Sequence, residues 1–198
     1  MDAYQALEKL INGNKRYVME RYAKGNIGPT RRLELVKGQD PFAVILGCSD
    51  SRIPPEIVFD QGLGDLFVVR TAGQVVDDVV LGSIEYAVDH LAVRLIVVLG
   101  HEDCGAVKAA LANSQGPCHI KAITQAIQPA IEKASAQTGN LLENTIKANV
   151  DYIIWKLQTS SPILSKAITK KGLQIVGAVK NIGDGSVNFH YADAFASV

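Results

Sequence analysis

In residues 94–100, RLIVVLG, an arginine is followed by an unbroken apolar run that is rich in valine, isoleucine and leucine and ends in glycine. Two similar runs precede it, PFAVILG at residues 41–47 and LFVVR at residues 66–70. Short continuous runs of this kind are typical of parallel strands that are buried on both faces. The three runs therefore predict three core strands of one sheet.

The segment between the second and third runs, DDVVLGSIEYAVDHLAV, has the pattern of a helix. Its apolar residues recur at helical spacing behind an aspartate suited to an N-cap. A strand, a helix and another strand in this order form a crossover, which implies that the two strands pair in parallel. The sequence therefore predicts an α/β fold with a mainly parallel central β-sheet flanked by helices.

Further elements are predicted on either side of this core. Near the N-terminus, an apolar stripe at helical spacing needs a docking surface; its residues are Tyr4, Leu7, Leu10, Ile11, Tyr17 and Val18. Other helices are predicted at residues 31–38, 120–134 and 141–157, and Pro129 is expected to kink the second of them. Two strands joined by a Gly-Asp-Gly turn are predicted at residues 173–191. No repeat or linker interrupts the chain, so residues 1–198 are predicted to form a single domain that includes an N-terminal helical arm, residues 1–38.

The charge balance and the cysteine content narrow the classes of partner. Lysine plus arginine total 20 and aspartate plus glutamate total 20, so no global attraction to nucleic acid or to an anionic membrane is expected. The N-terminus lacks the pattern of a secretory signal and no apolar run is long enough to span a membrane, so we expect a cytoplasmic protein. In a reducing compartment, the three cysteines are expected to be thiols, metal ligands or core residues rather than disulfides.

Residue types that bind metals follow two of the three core strands. Cys48 follows the first strand in ILGCSDSR, while His101 and Cys104 follow the third in VLGHEDCG. In open parallel sheets, ligands bind beyond the carboxyl ends of the strands, where these residues would meet. Two thiolates and one imidazole favour zinc, and three protein ligands leave a fourth position open, as in catalytic zinc sites.

Two groups compete for that fourth position. One is a water molecule, which the metal would convert to a hydroxide nucleophile, and the other is Asp50, two residues from Cys48. Arg52 can pair with Asp50 and draw it away from the metal. Because two thiolates cancel the charge of the zinc ion, hydroxide formation should favour alkaline pH. The amides at the start of the following helix should favour the thiolate of Cys104.

Other polar residues have simpler interpretations. Cys118 and His119 lack a partner at zinc-like spacing, so Cys118 is predicted to be a free thiol. His90 and His190 are predicted to be structural or surface residues, and residues 62–65, GLGD, are predicted to form a turn. Solvated loop acids are predicted at Asp65, Glu102 and Asp103.

The paired motifs CSDSR at residues 48–52 and GHEDCG at residues 100–105 resemble the C-x-D-x-R and H-x-x-C signatures of the β-class carbonic anhydrases. The similarity continues through FDQGLGDLFVVRTAGQ and GSIEYAVDHL to about Ala110. The resemblance implies reversible hydration of carbon dioxide to bicarbonate and a proton by a zinc-bound hydroxide, with one zinc ion per chain. Two alternatives remain: a carbonyl sulfide or carbon disulfide hydrolase on the same scaffold, and a non-catalytic zinc or redox-sensing protein.

The resemblance also implies roles for individual residues. The zinc ligands would be Cys48, His101 and Cys104. Asp50 and Arg52 would be the catalytic dyad, with Asp50 as the fourth zinc ligand in a closed, inactive form. The substrate pocket would be formed by Gln39, Phe67, Ala72, Tyr86 and the backbone amide of Gly105.

The resemblance further implies a homodimer or a dimer of dimers, with the cleft at the subunit interface and part of its wall from the partner. The N-terminal helix would dock on the partner subunit. Two positions depart from the family pattern. Ala72 is smaller than the valine common there, which would widen the pocket. One subgroup of the family binds regulatory bicarbonate through a tryptophan, an arginine and a tyrosine. Arg70 and Tyr86 match this set, but Ile45 occupies the tryptophan position, so regulation by bicarbonate is not expected.

Overall fold

The computed structural model describes residues 1–23, 26–112 and 118–191. These residues form a five-stranded sheet with helices on both faces. The strands are β1 (Ala43–Cys48), β2 (Leu66–Thr71), β3 (Leu95–His101), β4 (Gln174–Lys180) and β5 (Val187–His190). The helices are α1 (Ala3–Val18), α2 (Pro29–Leu35), α3 (Pro55–Val58), α4 (Asp78–Asp89), α5 (Gly105–Leu111), α6 (Ile120–Ser135), α7 (Leu141–Ser160) and α8 (Pro162–Lys171). No described helix is long and apolar enough to cross a membrane.

The strands lie in the order β2-β1-β3-β4-β5. β1 pairs in parallel with β2 and β3, β3 pairs in parallel with β4, and β5 is antiparallel to β4. The predicted α/β fold and its three core strands are therefore confirmed. The predicted pairing of the second strand with the third is wrong, because β1 lies between them. β1 is apolar and buried along its whole length, so it occupies a position with a neighbour on each side.

Burial differs between the strands. Every residue of β1 and β3 is buried, as predicted for strands covered on both faces. Every residue of β2 is only partly buried, so the same prediction is wrong for β2. The reason is its place in the sheet: β2 pairs with β1 on one side and lies at the edge on the other.

Two apolar layers cover the sheet. On one face, α4, α7 and α8 pack against the strands through residues such as Ile84, Ile154 and Leu164. On the other face, α1 and the segment around α3 contribute Leu10 and Phe59. A third cluster, which includes residues of α5, α6 and α7, adjoins the ends of β1 and β3. The carboxyl ends of the two central strands are thus enclosed by packed helices.

α1 packs against its own sheet through small residues. Ala3, Ala6 and Leu10 are buried, whereas Tyr4 and Val18 are 66% and 41% exposed. Of the predicted apolar stripe, Leu10 is therefore buried against the sheet while Tyr4 and Val18 stay exposed, because alanines bring the helix close to the sheet on its inner side. Docking of α1 on a partner subunit stays a prediction.

The helix ends follow local signals. The predicted helices at residues 120–134 and 141–157 correspond to α6 and α7, and the one at residues 31–38 begins earlier, as α2. Pro129 lies inside α6, and its kink stays a prediction. The sequence interpretation missed α8, although its start signal is clear. The hydroxyl of Ser161 accepts a hydrogen bond from the backbone N–H of Leu164 at 3.1 Å, and proline occupies the first helical position.

Asn14 connects α1 to two distant segments of the chain. Its side-chain amide is buried and donates to the carbonyl oxygens of Val58 at 3.1 Å and Gly185 at 3.0 Å. Its side-chain oxygen accepts from the backbone N–H of Val187 at 2.9 Å. One side chain thus satisfies three backbone groups between the helix, α3 and the β4–β5 turn.

We expect the substitution Asn14→Ala to lower the free energy of unfolding by about 3 kcal/mol, because it leaves three backbone groups without their partner. Asn12 is exposed on the same helix and gives a matched control. Asn12→Ala should change the same free energy by less than about 0.5 kcal/mol. Urea denaturation of both variants measures the difference, and equal effects would contradict the role assigned to Asn14.

Candidate metal centre

The ends of β1 and β3 bring the predicted ligands together. Cys48 ends β1, His101 ends β3, and the two strands pair directly. Cys104 precedes the first residue of α5. One possible ligand atom from each of these residues lies within 4.8 Å of the others, and all three side chains are buried. We call Cys48, His101 and Cys104 the metal-ligand group, and its predicted assembly at this edge of the sheet is confirmed.

His101 has one ring nitrogen available to a metal. Its Nδ1 lies 2.8 Å from the carbonyl oxygen of Glu102, so Nδ1 carries the proton and donates it. Its Nε2 is then the basic nitrogen, and it is buried without a hydrogen-bond partner among the described residues. A buried basic nitrogen without a partner is unfavourable unless it binds a cation or a donor. The histidine therefore fits a metal bound through Nε2, oriented by Glu102.

The two cysteines share one proton in the metal-free site. A hydrogen bond from Cys104 lowers the pKa of Cys48 to about 4, with further help from His101 and the Gly73 N–H, and despite the opposing effect of burial. The pKa of Cys104 is raised, because its thiol donates to Cys48 and is itself buried. The expectation that the helix amides favour the Cys104 thiolate is right in direction, but a larger effect opposes it in the metal-free site. The amides of Ala106 and Val107 do lower this pKa, but by less than the hydrogen bond raises it.

Asp50 and Arg52 form a two-bonded ion pair beside the metal-ligand group. Arg52 Nε donates to Asp50 Oδ1 at 2.9 Å and Arg52 Nη2 donates to Oδ2 at 2.8 Å. The Arg52 guanidinium holds the pKa of the Asp50 carboxyl well below its usual range. Oδ2 of Asp50 also lies 3.9 Å from Nε2 of His101. A carboxylate is therefore held at the edge of the site while both its oxygens are bound to arginine.

Arg70 supports the loop that carries this pair. Its Nε donates to the carbonyl oxygen of Cys48 at 2.9 Å, and its Nη2 donates to that of Asp50 at 2.6 Å. Sequence reasoning compared Arg70 only with a regulatory site and missed this role. An arginine at the end of β2, the neighbour of β1, is the signal that could have indicated it.

Three acids expected to be solvated loop residues have defined partners. Asp103 is exposed as expected, but it contacts Lys108 and lies 3.7 Å from Arg52. Glu102 is also exposed as expected, and its carboxylate accepts from Asn181 Nδ2 and from the backbone N–H of Ile182, each at 3.2 Å. The prediction is wrong for Asp65, which is partly buried and accepts from the backbone N–H of Gly62 at 2.9 Å inside the predicted turn. Loop acids of this kind cap free backbone amides, which composition does not reveal.

Two of the five predicted pocket residues lie at the metal-ligand group. Ala72 directly precedes Gly73, whose backbone N–H donates to Cys48 Sγ at 3.2 Å. Gly105 directly follows Cys104 and begins α5. The role of Gly73 was missed, although its signal is the glycine that follows β2 in the RTAGQ segment.

The other three predicted pocket residues do not reach this group within one chain. Phe67 precedes by four residues the Thr71 that pairs with Cys48, which separates them by about 13 Å along the strand. The Phe67 ring contacts Tyr86, with centroids 6.4 Å apart, and Tyr86 is 46% exposed. Gln39 is exposed in the segment before β1. Gln39 and Tyr86 are therefore exposed within this chain, whereas Phe67 is partly buried and packs against the core.

The remaining cysteine and histidines behave as predicted. Cys118 is an exposed free thiol outside the metal-ligand group. His90 stacks on the ring of Tyr86 with centroids 4.9 Å apart. His190 Nε2 lies 2.9 Å from Oδ1 of the buried Asp151, which ties β5 to α7.

Zinc binding at about pH 6.5 is expected to release about one proton per chain from the cysteine pair. Cys48 is already a thiolate at this pH, since its pKa is about 4, and Cys104 keeps its proton until the metal displaces it. Isothermal titration calorimetry in buffers of different ionisation enthalpy measures this number. Release of two protons would contradict a proton shared between Cys48 and Cys104. As a control, Cys118→Ser lies outside the metal-ligand group and should leave the number of released protons unchanged.

Comparisons with known proteins agree with this site. A family model described as "Carbonic anhydrase" matches residues 43–187. The chain is 41% identical over 186 residues to the carbonic anhydrase of Mycolicibacterium smegmatis, covering 92% of this chain and 90% of that protein. It is 42% identical over 184 residues to carbonic anhydrase 2 of Mycobacterium tuberculosis, covering 91% and 89%. Among solved structures, a tetrameric β-carbonic anhydrase of Sordaria macrospora matches with a TM-score of 0.74 and 30% identity, covering 82% of this chain and 86% of that chain.

The matched segment contains the metal-ligand group as well as Asp50 and Arg52. The expected cofactor, zinc, is the metal of the β-carbonic anhydrases, and the buried thiols and the free Nε2 of His101 fit it. The chain therefore belongs to the carbonic anhydrase family, whose members are lyases, and it has the fold of the β-carbonic anhydrases.

Proposed function

We propose that the protein catalyses the reversible hydration of carbon dioxide to bicarbonate and a proton. The observation that carries this proposal is the buried metal-ligand group with an ionised carboxylate held beside it by arginine. Three protein ligands with an acid–base pair at the open side favour a catalytic over a structural metal site. The names of the two mycobacterial relatives support the same reaction.

Cys48, His101 and Cys104 would hold the zinc ion through two sulfurs and one nitrogen. When bound, the metal supplies Lewis acidity that activates a water molecule as the nucleophile. The protein contributes a buried surrounding, with His101 wholly buried and both cysteines at most 5% exposed. Such a surrounding strengthens each electrostatic interaction inside it.

The Asp50–Arg52 pair would act as a gate on the metal. With both oxygens bound to Arg52, Asp50 stays off the open position, and this arrangement corresponds to the active form. Because its pKa is held low, Asp50 is an ionised acceptor that can orient a water molecule by taking a hydrogen bond from it. If Arg52 releases Asp50, Oδ2 is near enough to His101 Nε2, at 3.9 Å, to reach a metal bound there and close the site.

The substrate pocket would be completed by a second subunit. Ala72 and Gly105 line the site from its own chain, while Gln39, Phe67 and Tyr86 of the partner would supply the opposite wall. Gln39 and Tyr86 are exposed, and α2 buries none of its residues within the chain, as expected of a surface that another subunit covers. We infer a homodimer or a dimer of dimers, consistent with the tetrameric relative, and a cytoplasmic location where the thiols stay reduced.

The reaction is tested by stopped-flow hydration of carbon dioxide on protein with measured zinc content. We expect activity that rises toward alkaline pH, because two thiolate ligands weaken the acidity that the metal confers on water. Parallel rates on carbonyl sulfide and carbon disulfide separate the hydrolase alternative. A zinc-replete, reduced sample that hydrates no carbon dioxide at alkaline pH would overturn the proposal in favour of that hydrolase or a redox sensor.

Asp50→Asn and Arg52→Met are each expected to lower the rate of carbon dioxide hydration by at least about 100-fold while one zinc per chain is retained. Asparagine keeps the shape but lacks the charge, and methionine cannot hold Asp50 off the metal. The exposed pair Lys171–Asp89 offers a matched control, since Lys171→Met breaks an ion pair from α8, a helix that carries none of the ligand or pocket residues. Normal activity in either dyad variant, or loss of activity in the control, would refute the gate.

Mixed dimers test whether the pocket is shared between subunits. One subunit carries Arg52→Met, which disables its own site, and the other carries Gln39→Ala with Tyr86→Ala, which alters only the wall it gives to its partner. Each homodimer should be nearly inactive. The heterodimer should recover about half of the parent activity, because the intact metal site then faces an intact wall. No recovery in a heterodimer of proven composition would mean that the wall is built within one chain.

A further inference from the structure

A buried amide is linked to the metal-ligand group through one intervening residue. Asn149, in the middle of α7, has no exposed surface. Its Nδ2 donates to the carbonyl oxygen of Gly73 at 3.0 Å. The backbone N–H of Gly73 in turn donates to Cys48 Sγ at 3.2 Å. A chain of two hydrogen bonds therefore links α7 to a metal ligand through one glycine.

The glycine at the centre of this chain has little freedom. Gly73 has φ +68° and ψ 19°, a left-handed conformation that glycine adopts at low cost. A Cβ at this position would lie 3.0 Å from Cβ of Ala106 and 3.0 Å from Cδ1 of Ile127. The residue is thus packed against α5 and α6, and the bond from Asn149 fixes the orientation of its carbonyl. Because φ and ψ of Gly73 join its two peptide planes, holding the carbonyl in this conformation also sets the direction of its N–H toward Cys48.

Packing alone does not account for an amide at position 149. Its side-chain oxygen is buried without a hydrogen-bond partner among the described residues. A leucine would fill a similar volume without burying an unpaired polar atom, and that would favour the folded state. What a leucine could not supply is the donor to the Gly73 carbonyl.

We propose that Asn149 is a positioning residue of the metal site. It holds the Gly73 N–H on Cys48 Sγ and thereby sets how tightly the metal-ligand group binds its metal and how electron-rich the Cys48 sulfur is. Hydrogen bonds to ligand sulfurs are known to tune metal sites in this way, because they withdraw charge from the thiolate. The inference rests on the proposed function only for the identity of the metal, since it concerns the chain's own residues around Cys48.

The test compares Asn149→Leu with a matched control on the same helix. Thr145 is also fully buried, and its hydroxyl donates to the carbonyl of Leu141 at 2.7 Å, so Thr145→Val removes a buried hydrogen bond that does not lead to Gly73. Zinc affinity is measured by competition with a chelator at fixed pH. The cobalt(II)-substituted forms report the sulfur-to-cobalt charge-transfer band. Neither measurement requires catalytic turnover.

In Asn149→Leu, we expect the zinc dissociation constant to rise about tenfold, because Cys48 is no longer held in its binding orientation, and we expect the charge-transfer band to move to lower energy. The band moves because a sulfur that has lost its hydrogen bond gives up an electron more readily. Thr145→Val should match the parent in both measurements. A folded Asn149→Leu protein with the parent band and affinity would overturn the inference, as would an equal shift in the control.

A measurement on the parent protein keeps the inference testable if the leucine variant does not fold. In protein loaded with cadmium-113, the Gly73 amide proton should show scalar coupling to the metal, transmitted through the N–H···S hydrogen bond. Absence of this coupling would overturn the inference. Asn149→Asp, which keeps the size but replaces the donor with a carboxylate oxygen that repels the Gly73 carbonyl, should abolish the coupling. A shifted cobalt band in Asn149→Leu together with no carbon dioxide hydration by the parent would refute the proposed function and leave this inference standing.

Discussion

The direct parallel pairing of β1 with β3 is the constraint on which the site depends. The register joins Val44 with Ile96 and Gly47 with Leu99, so the two strands end at the same edge of the sheet, with His101 one residue beyond the level of Cys48. Both ligands stand at the ends of their strands, so a slip in this register would move one of them along the sheet by about 3.3 Å per residue and away from the other. The register is secured because both strands are buried on both faces and every position has a fixed neighbour. The metal-ligand group is therefore a consequence of core packing.

Around this group, the charges are arranged so that each polar atom has one role. His101 Nδ1 keeps its proton and donates a hydrogen bond to the Glu102 carbonyl, which leaves Nε2 for the metal. One proton between the two cysteines keeps the metal-free site from carrying two buried thiolates. The nearest carboxylate, Asp50, is neutralised by arginine rather than by the site. A divalent cation that binds to the group would replace one proton. The ligand side chains would already be oriented toward it.

Sequence reasoning predicted the strands, the ligand set and the acid–arginine pair because these depend on local pattern. Apolar runs mark β1 and β3, and the ligand types follow each run directly. Sequence reasoning paired β2 with β3, which is wrong, because a strand–helix–strand crossover does not reveal whether another strand lies between the two that it connects. It missed Arg70, Gly73 and Asn149 because their roles depend on backbone groups far away in sequence. Asn149 and Gly73, for example, are 76 residues apart.

The most direct test of the central claim is X-ray absorption spectroscopy at the zinc edge on the loaded protein. We expect one zinc per chain bound by two sulfurs at about 2.3 Å and by two lighter atoms at about 2.0 Å, one of which is an imidazole nitrogen. Cys104→Ser should lose one sulfur from this shell, while Cys118→Ser should leave it unchanged. A parent spectrum with fewer or more than two sulfurs per zinc would contradict a metal held by Cys48, His101 and Cys104.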